Sequence, residues 1–192
     1  VTGRPWEMLI RETVFDPLGL KSAGLGAPLT PGRVDAMAGH MQSEDGKVVA
    51  RLWGAGADAP PMLGPVGLVH MSILDFARWG AWVAGGGHRG PALVKPETLA
   101  YLMAEKVQTP TRPNPPPGTP AEGGYAFGWS IEKFDWADRT LVTHNGSNGL
   151  TLAKILIDTE KDIAVVAAVN IGGRNADLAA GKAIKLLYTK YR

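Results

Sequence analysis

The 192-residue sequence has no cysteine, so neither a disulfide nor thiolate chemistry is open to it, and cysteine usage leaves the redox compartment undetermined. It also lacks a charge surplus. The 20 Lys and Arg stand against 18 Asp and Glu, a net charge of +2. The basic residues are scattered rather than gathered into the stripe of a dedicated nucleic-acid binder, so no nucleic-acid partner is expected. No apolar run approaches the roughly 18 residues of a spanning helix, so no membrane span is expected. His40, His70, His88 and His144 show no ligand spacing such as i, i+4, and no acidic residue is placed to complete a set. Neither a metal nor a cofactor is expected, and the first three histidines read as structural or surface residues. There is no internal repeat. The opening "VTGRPWEMLI" is not a signal peptide and has no initiator Met, so the chain reads as the middle of something longer.

What is present begins with 45% apolar residues, enough for a core. Residues 4–14 read as a short helix with Trp6, Leu9, Ile10 and Val14 on one face, ended by "DPLGL" at 16–20. Residues 21–66 read as irregular, with a small hairpin centred on "EDGK". Ser72-x-x-Asp75 has capping-box form and opens a helix carrying Phe76, Trp79, Gly80 and Val83, which "GGG" at 85–87 stops. Another helix begins near Pro96, with Leu99, Leu102 and Met103 as its apolar face. The stretch "TPTRPNPPPGTPAEGG" at 109–124 holds six prolines in sixteen residues, which excludes a helix interior and a central strand and leaves a linker or a surface loop.

Strand patterns follow: 125–134, 140–146, 150–158 and 163–171, the last two joined by "TEKD" as a hairpin. The last strand is almost wholly apolar and is expected to be covered on both faces. Asn175 or Asp177 would cap a closing helix whose apolar face carries Leu178, Ile184, Leu187, Tyr188 and Tyr191. The expected fold class is α+β: a helical region, then an antiparallel sheet with a C-terminal helix packed on it. Residues 1–124 form the helical and loop region and 125–192 the strands and closing helix of one incomplete domain. Such a sheet would expose edges, which call for a partner.

The densest polar cluster is "THNGSNG" at 143–149. As a nucleophile elbow, Ser147 would need Gly-x-Ser-x-Gly, and 145–149 is Asn-Gly-Ser-Asn-Gly, followed by a strand rather than a helix. Ser130-x-x-Lys133 has the spacing of an acyl-transfer pair on a helix but falls in a strand, where i and i+3 point to opposite faces. Phosphate binding at "GSNG" lacks the Lys-Ser/Thr of a P-loop. The bare pattern leaves a polar turn between strands, or a strand end at which Gly146 and Gly149 let the backbone approach a ligand or chain. His144 is the side chain there that can change charge near neutral pH.

Five stretches in order, "VTGRPWEMLIRETVFDPLGLKSAGLG" (1–26), "GLVHMSILDFARWGAWVAGGG" (67–87), "YAFGWSI" (125–131), "HNGSNG" (144–149) and "IAVVAAVNIGG" (163–173), resemble the C-terminal half of the serine β-lactamase-like family. That group includes class C β-lactamases, DD-peptidases and related esterases. The resemblance implies a β-lactamase/transpeptidase-like fold, here partial, and a serine hydrolase acting through an acyl-enzyme on an amide or ester: a β-lactam, a peptidoglycan peptide or an ester. It places His144 at the Lys or His of the family's Lys-Thr-Gly position, assisting proton transfer or holding an anionic group. It makes the Ser147 backbone N–H the second oxyanion donor, a group worth on the order of 3 kcal/mol of barrier. It lets a substrate amide pair along the strand at Asn145 and Gly146.

The departures are as informative. The family's nucleophile, in Ser-x-x-Lys, and its Tyr-x-Asn belong upstream of residue 1, and residue 70 is His where Ser is usual. The chain is therefore expected to be a C-terminal fragment, inactive alone, partnered by a small-molecule substrate and by the missing N-terminal half or a second copy. The alternative is a non-catalytic binding or scaffold domain of the same fold. The resemblance favours a periplasmic or extracytoplasmic location and leaves a cytoplasmic one open.

Overall fold

The computed structural model describes residues 2–54, 56–115 and 118–192. Val1, Ala55, Pro116 and Pro117 lie outside the described residues, and with them the first residue of the 1–26 stretch and two prolines of the 109–124 stretch. The chain opens with α1 (Trp6–Ile10), a π-helical turn (Arg11–Phe15) and α2 (Asp16–Leu18) in one continuous run. The run ends inside "DPLGL" as expected, but at Gly19 rather than before Pro17, so that its last residue, Leu18, lies four residues past the expected 4–14 helix. Asp16 stays helical at φ −64° and ψ −49° despite the proline after it. The wide π turn lies where the carbonyl of an ordinary turn would meet the Pro17 ring. The stop comes at Gly19, which takes φ +65° while Leu20 N–H bonds back to the Phe15 carbonyl at 2.9 Å. That is a Schellman ending, and Phe15 and Leu20 are both buried beside it.

Residues 21–66 are more ordered than expected. Strand β1 (Gly24–Leu25) is followed by the hairpin of β2 (Gly39–Gln42) and β3 (Val48–Arg51), which closes over "EDGK" as expected. After a 3₁₀ turn (Pro61–Leu63) come the single turn α3 (Gly64–Gly67) and β4 (Val69–His70), which pairs with β1. Next is α4 (Ile73–Ala84). Ser72 Oγ accepts its cap bond from Asp75 N–H at 3.3 Å, and Gly85 to Gly87 end it. The Asp75 carboxylate accepts from Ser22 Oγ at 2.5 Å, which holds its pKa below the usual range, and pairs with Arg78 at 2.6 Å. The α1–α2 ending is thereby tied to α4. Helix α5 (Pro96–Met103) buries Leu99 and Met103.

The main sheet is antiparallel, ordered β10-β9-β8-β7-β6-β5. Its strands are β5 (Val107–Thr109), β6 (Gly123–Tyr125), β7 (Ser130–Lys133), β8 (Thr140–Ser147), β9 (Leu152–Asp158) and β10 (Ile163–Val169). The proline-rich stretch is the loop between adjacent strands β5 and β6, so of the two readings it is a surface loop. The strand expected over 125–134 is instead a hairpin. Gly128 takes φ +80°, Ala126 N–H bonds to the Trp129 carbonyl at 2.8 Å, and Tyr125 pairs with Ser130. An aromatic run that alternates like a strand was broken by one glycine able to adopt the left-handed conformation.

Helix α6 (Arg174–Tyr191) closes the chain. Neither Asn175 nor Asp177 caps it. Gly173 does, at φ +101°, with no side-chain cap bond. Its buried face is Ala176, Ala180, Ile184 and Tyr188, while Leu187 and Tyr191 are exposed. The small residues let the helix lie close on the sheet. The Tyr188 hydroxyl donates to Asp158 Oδ2 at 2.7 Å, and burial followed by that bond pushes its pKa up to about 12.

The sheet is thus sandwiched. On one face α4 packs, through Trp82 and Val83, against Trp129, Ile131, Ile155 and Ile157, extended by a stack of Phe76, Trp79 and Trp129. On the other, α6 packs on Leu141, Leu156 and Val165. Strand β10, at the sheet edge, has α4 on one face and α6 on the other, which explains its apolar run. No helix among the described residues is long and apolar enough to cross a membrane. Gly80 marks the tightest approach of α4: a Cβ there would lie 3.1 Å from both Ala164 Cβ and Ile155 Cδ1. Gly80→Val should therefore destabilise the chain by about 1–3 kcal/mol, read as a lower urea midpoint at unchanged slope, because an added side chain must lift α4 off the sheet.

Candidate functional site

Strand β8 carries the polar cluster, and its register fixes which side chain goes where. It pairs with β7 from Thr140↔Lys133 to Thr143↔Ser130 and with β9 from Val142↔Ile157 to Ser147↔Leu152. Residues 144–147 therefore continue along β9 after β7 has ended, and their β7-facing backbone edge has no strand beside it. This is a place where an extended ligand backbone could pair.

Alternation sends His144 and Gly146 to the α4 face and Asn145 and Ser147 to the α6 face. His144 lies opposite Ile155, the residue that α4 approaches at Gly80. The imidazole is exposed, yet enough protein surrounds it that desolvation lowers its pKa from the ordinary 6.5. It is a neutral group at neutral pH, able to accept or donate one hydrogen bond rather than act as a fixed cation. A Cβ at Gly146 would meet nothing within 4 Å, so the face beside His144 is open.

Ser147 does not face His144, and its hydroxyl is committed elsewhere. Oγ donates to the Thr151 carbonyl at 2.7 Å and accepts from Gly149 N–H at 3.1 Å. A serine whose proton is held within its own turn, on the face away from the imidazole, has no base to activate it. The turn is closed by Asn148, whose Oδ1 accepts from Leu150 N–H at 3.0 Å and Thr151 N–H at 2.9 Å, and by Gly149 at φ +83°. Its far limb is fixed by buried Leu150, whose carbonyl accepts from His40 N–H at 2.9 Å.

Asn145 points into a cavity of about 260 Å³ between the sheet and α6, lined also by Glu132, Thr143, Lys154 and Lys182. Here lie charges that sequence reading missed. Lys154 Nζ pairs with Asp177 Oδ1 at 2.7 Å, and Arg112 reaches Glu132 at 3.2 Å from the proline-rich loop. Burial raises the Glu132 pKa, with Arg112 opposing it. The sequence signal for the first pair was a lysine in the middle of "LAKILID", and the second had none.

The other candidates are dispersed. Ser130 and Lys133 lie on β7, where the strand geometry separates them. His40 Nδ1 donates to the Asn170 carbonyl at 3.0 Å and His70 Nδ1 to the Gly26 carbonyl at 2.6 Å, so both secure loops. His88 is exposed beyond α4. Among the described residues no group of three or more His, Cys, Asp or Glu could hold a metal.

The Beta-lactamase family profile matches residues 1–190. No curated protein matches the sequence. Among solved structures, the chain is similar to an octameric penicillin-binding protein homologue from Pyrococcus abyssi, with TM-score 0.74 and 24% identity over 98% of this chain and 39% of that one. It is similar to a D-amino acid amidase from Ochrobactrum anthropi SV3, complexed with L-phenylalanine amide, with TM-score 0.67 and 19% identity over 100% of this chain and 53% of that one. A penicillin binding protein from Bacillus halodurans gives TM-score 0.64 and 18% identity over 95% and 50%. The chain thus spans from about two fifths to about half of these relatives' lengths, and at such identities the likeness is one of fold.

The His144 ring should titrate in the folded chain at lower pH than in denaturant, followed by its ring proton shifts in NMR. The unfolded chain takes up this proton first, so the contribution to stability is complete above the unfolded value and declines as pH falls toward the folded one. A folded midpoint above the denatured one would contradict this assignment.

Proposed function

Because the chain belongs to the Beta-lactamase family over residues 1–190, we propose that it supplies one wall of a serine hydrolase site acting through an acyl-enzyme on an amide or ester. The observation that carries the reading is the run of residues 144–147 past the end of β7, with the open face at Gly146 beside a neutral His144. A scissile carbonyl laid along that edge would direct its oxygen toward the Ser147 backbone N–H. As a serine oxygen attacks, a C–O bond forms and the carbonyl π pair moves onto that oxygen. The N–H stabilises this developing charge in a preorganised site. The tetrahedral species collapses by expelling the amine or alcohol, which carries away the serine's proton, and water then hydrolyses the acyl ester. His144 is placed to relay a proton on the α4 face, while Asn145 and Gly146 hold the substrate backbone.

The attacking serine is not assigned within these residues. Ser147 is occupied within its turn, and Ser130 lies on a strand with Lys133 on its opposite face. The proposal is therefore that a segment bearing Ser-x-x-Lys and Tyr-x-Asn, or a second copy of the chain, completes the opposite wall. The outer strand β10 offers an edge for such a partner.

Incubated with a p-nitrophenyl ester or a chromogenic cephalosporin, the 192-residue chain alone should yield no acyl adduct by intact mass. Adding the complementary segment should produce one on the added serine. Stoichiometric acylation within the 192 residues would overturn the proposal. Gly146→Val should leave unfolding free energy within about 0.5 kcal/mol, as expected of an open surface site. In the reconstituted enzyme it should lower kcat/KM by at least roughly a hundredfold by filling the ligand edge, the scale of losing one oxyanion contact. Unchanged turnover in that variant would place the substrate elsewhere.

A further inference from the structure

We propose that Asp58 is a positioning residue of the strand-end turn: its carboxylate holds Asn148, and through Asn148 it sets the direction of the Ser147 backbone N–H. The catalytic meaning of this rests on the oxyanion role proposed for that N–H, but the positioning itself does not.

Asn148 uses both ends of its side chain. Oδ1 accepts from Leu150 N–H, Thr151 N–H and Thr151 Oγ1 at 3.0, 2.9 and 3.0 Å, and Nδ2 donates to Asp58 Oδ1 at 2.8 Å. Only one orientation of the amide satisfies two backbone donors on one side and a carboxylate on the other. The turn therefore has two unequal limbs. The Leu150 limb is clamped from outside: Leu150 is buried against Gly39, where a Cβ would lie 2.7 Å from Leu150 Cβ, and its carbonyl binds His40 N–H.

The Ser147–Asn148 limb is exposed, and its side-chain bonds otherwise stay within the turn, from Ser147 Oγ to Thr151 and Gly149 and from Asn148 to residues 150–151. Bonds within a turn keep its shape but do not aim it. The Ser147↔Leu152 pairing holds the base of the limb and Gly149 lies close against Gly172, and Asp58 adds the side-chain tie that bears on Asn148 from another part of the chain. Asp58 is itself held by Ala59 N–H at 2.8 Å and by the neighbouring Ala57, which is buried and bonds Gly54. The bond is charge-assisted, which favours one geometry over the alternatives open to an exposed turn.

The test is amide hydrogen exchange, measured by NMR on the 192-residue chain. Asp58→Ala should speed exchange at Leu150 and Thr151, whose N–H groups donate to Asn148 Oδ1, by about tenfold, equivalent to about 1.4 kcal/mol, while Ile155 and Ile157 in β9 keep their rates. Asp58→Asn, which keeps the shape and an acceptor, should give a smaller increase. Asn148→Asp should disturb the turn by setting two carboxylates against each other. Asp58→Asn combined with Asn148→Asp should restore near-native rates by reversing the pair. Rates within about twofold of the native chain in Asp58→Ala, or no rescue by the reversed pair, would overturn the proposal. In the reconstituted enzyme, Asp58→Ala should lower kcat for a p-nitrophenyl ester with KM unchanged. Faster exchange with unaltered kcat would uphold the positioning and refute the oxyanion role of Ser147.

Discussion

Strand β9 is covered on both faces, and the candidate site depends on that burial. Ile155 and Ile157 pack toward α4, where Gly80 brings the helix backbone close. Leu156 packs toward α6, flanked by the Lys154–Asp177 pair and by Asp158 beneath the Tyr188 hydroxyl. A slip of one residue would carry the isoleucines to the wrong helix and strand Lys154 and Asp158 without their partners, so the register is strongly specified. Because β8 pairs with β9 along its whole outer half, that register also decides that His144 faces α4 and Asn145 faces α6.

From this follows the division of labour at 143–149. A histidine and a serine three residues apart could form a local dyad on a helix, but on a strand they diverge. The serine hydroxyl is then absorbed by the turn, and the histidine is left facing an open surface next to a glycine. Its neutral state distinguishes this strand end from one carrying lysine: it can pass a proton, but it offers no permanent charge to an anionic group. The chain belongs to the Beta-lactamase family, and residues 144–147 lie along a strand edge left open where β7 ends.

Several features were legible in advance because they depend on neighbours in sequence. The Ser72 cap, the Gly85–Gly87 stop, the "EDGK" hairpin and the "TEKD" turn are local and were read correctly. The errors arose where one residue outweighed a pattern. Gly128 folded an apparent strand into a hairpin, a π turn carried the first helix through Pro17, and Gly173 took the cap expected of Asn175 or Asp177. The α6 face was misjudged at Leu187 and Tyr191 because a helix lying close on a sheet buries small residues. Ala176 and Ala180 do that work, though hydrophobicity ranks them below leucine.

The sequence by itself determined the broad plan of helices, then antiparallel strands, then a closing helix, together with the polar cluster at 143–149 and the family, since five separated motifs carry that information as text. Only the tertiary structure decided which face each residue of the cluster occupies, that 144–147 extend past β7, and that Asp58 and Asn148 meet across 90 residues of chain. Sequence spacing encodes short-range periodicity, whereas register, strand overhang and long-range hydrogen bonds are set by how buried faces pack against one another.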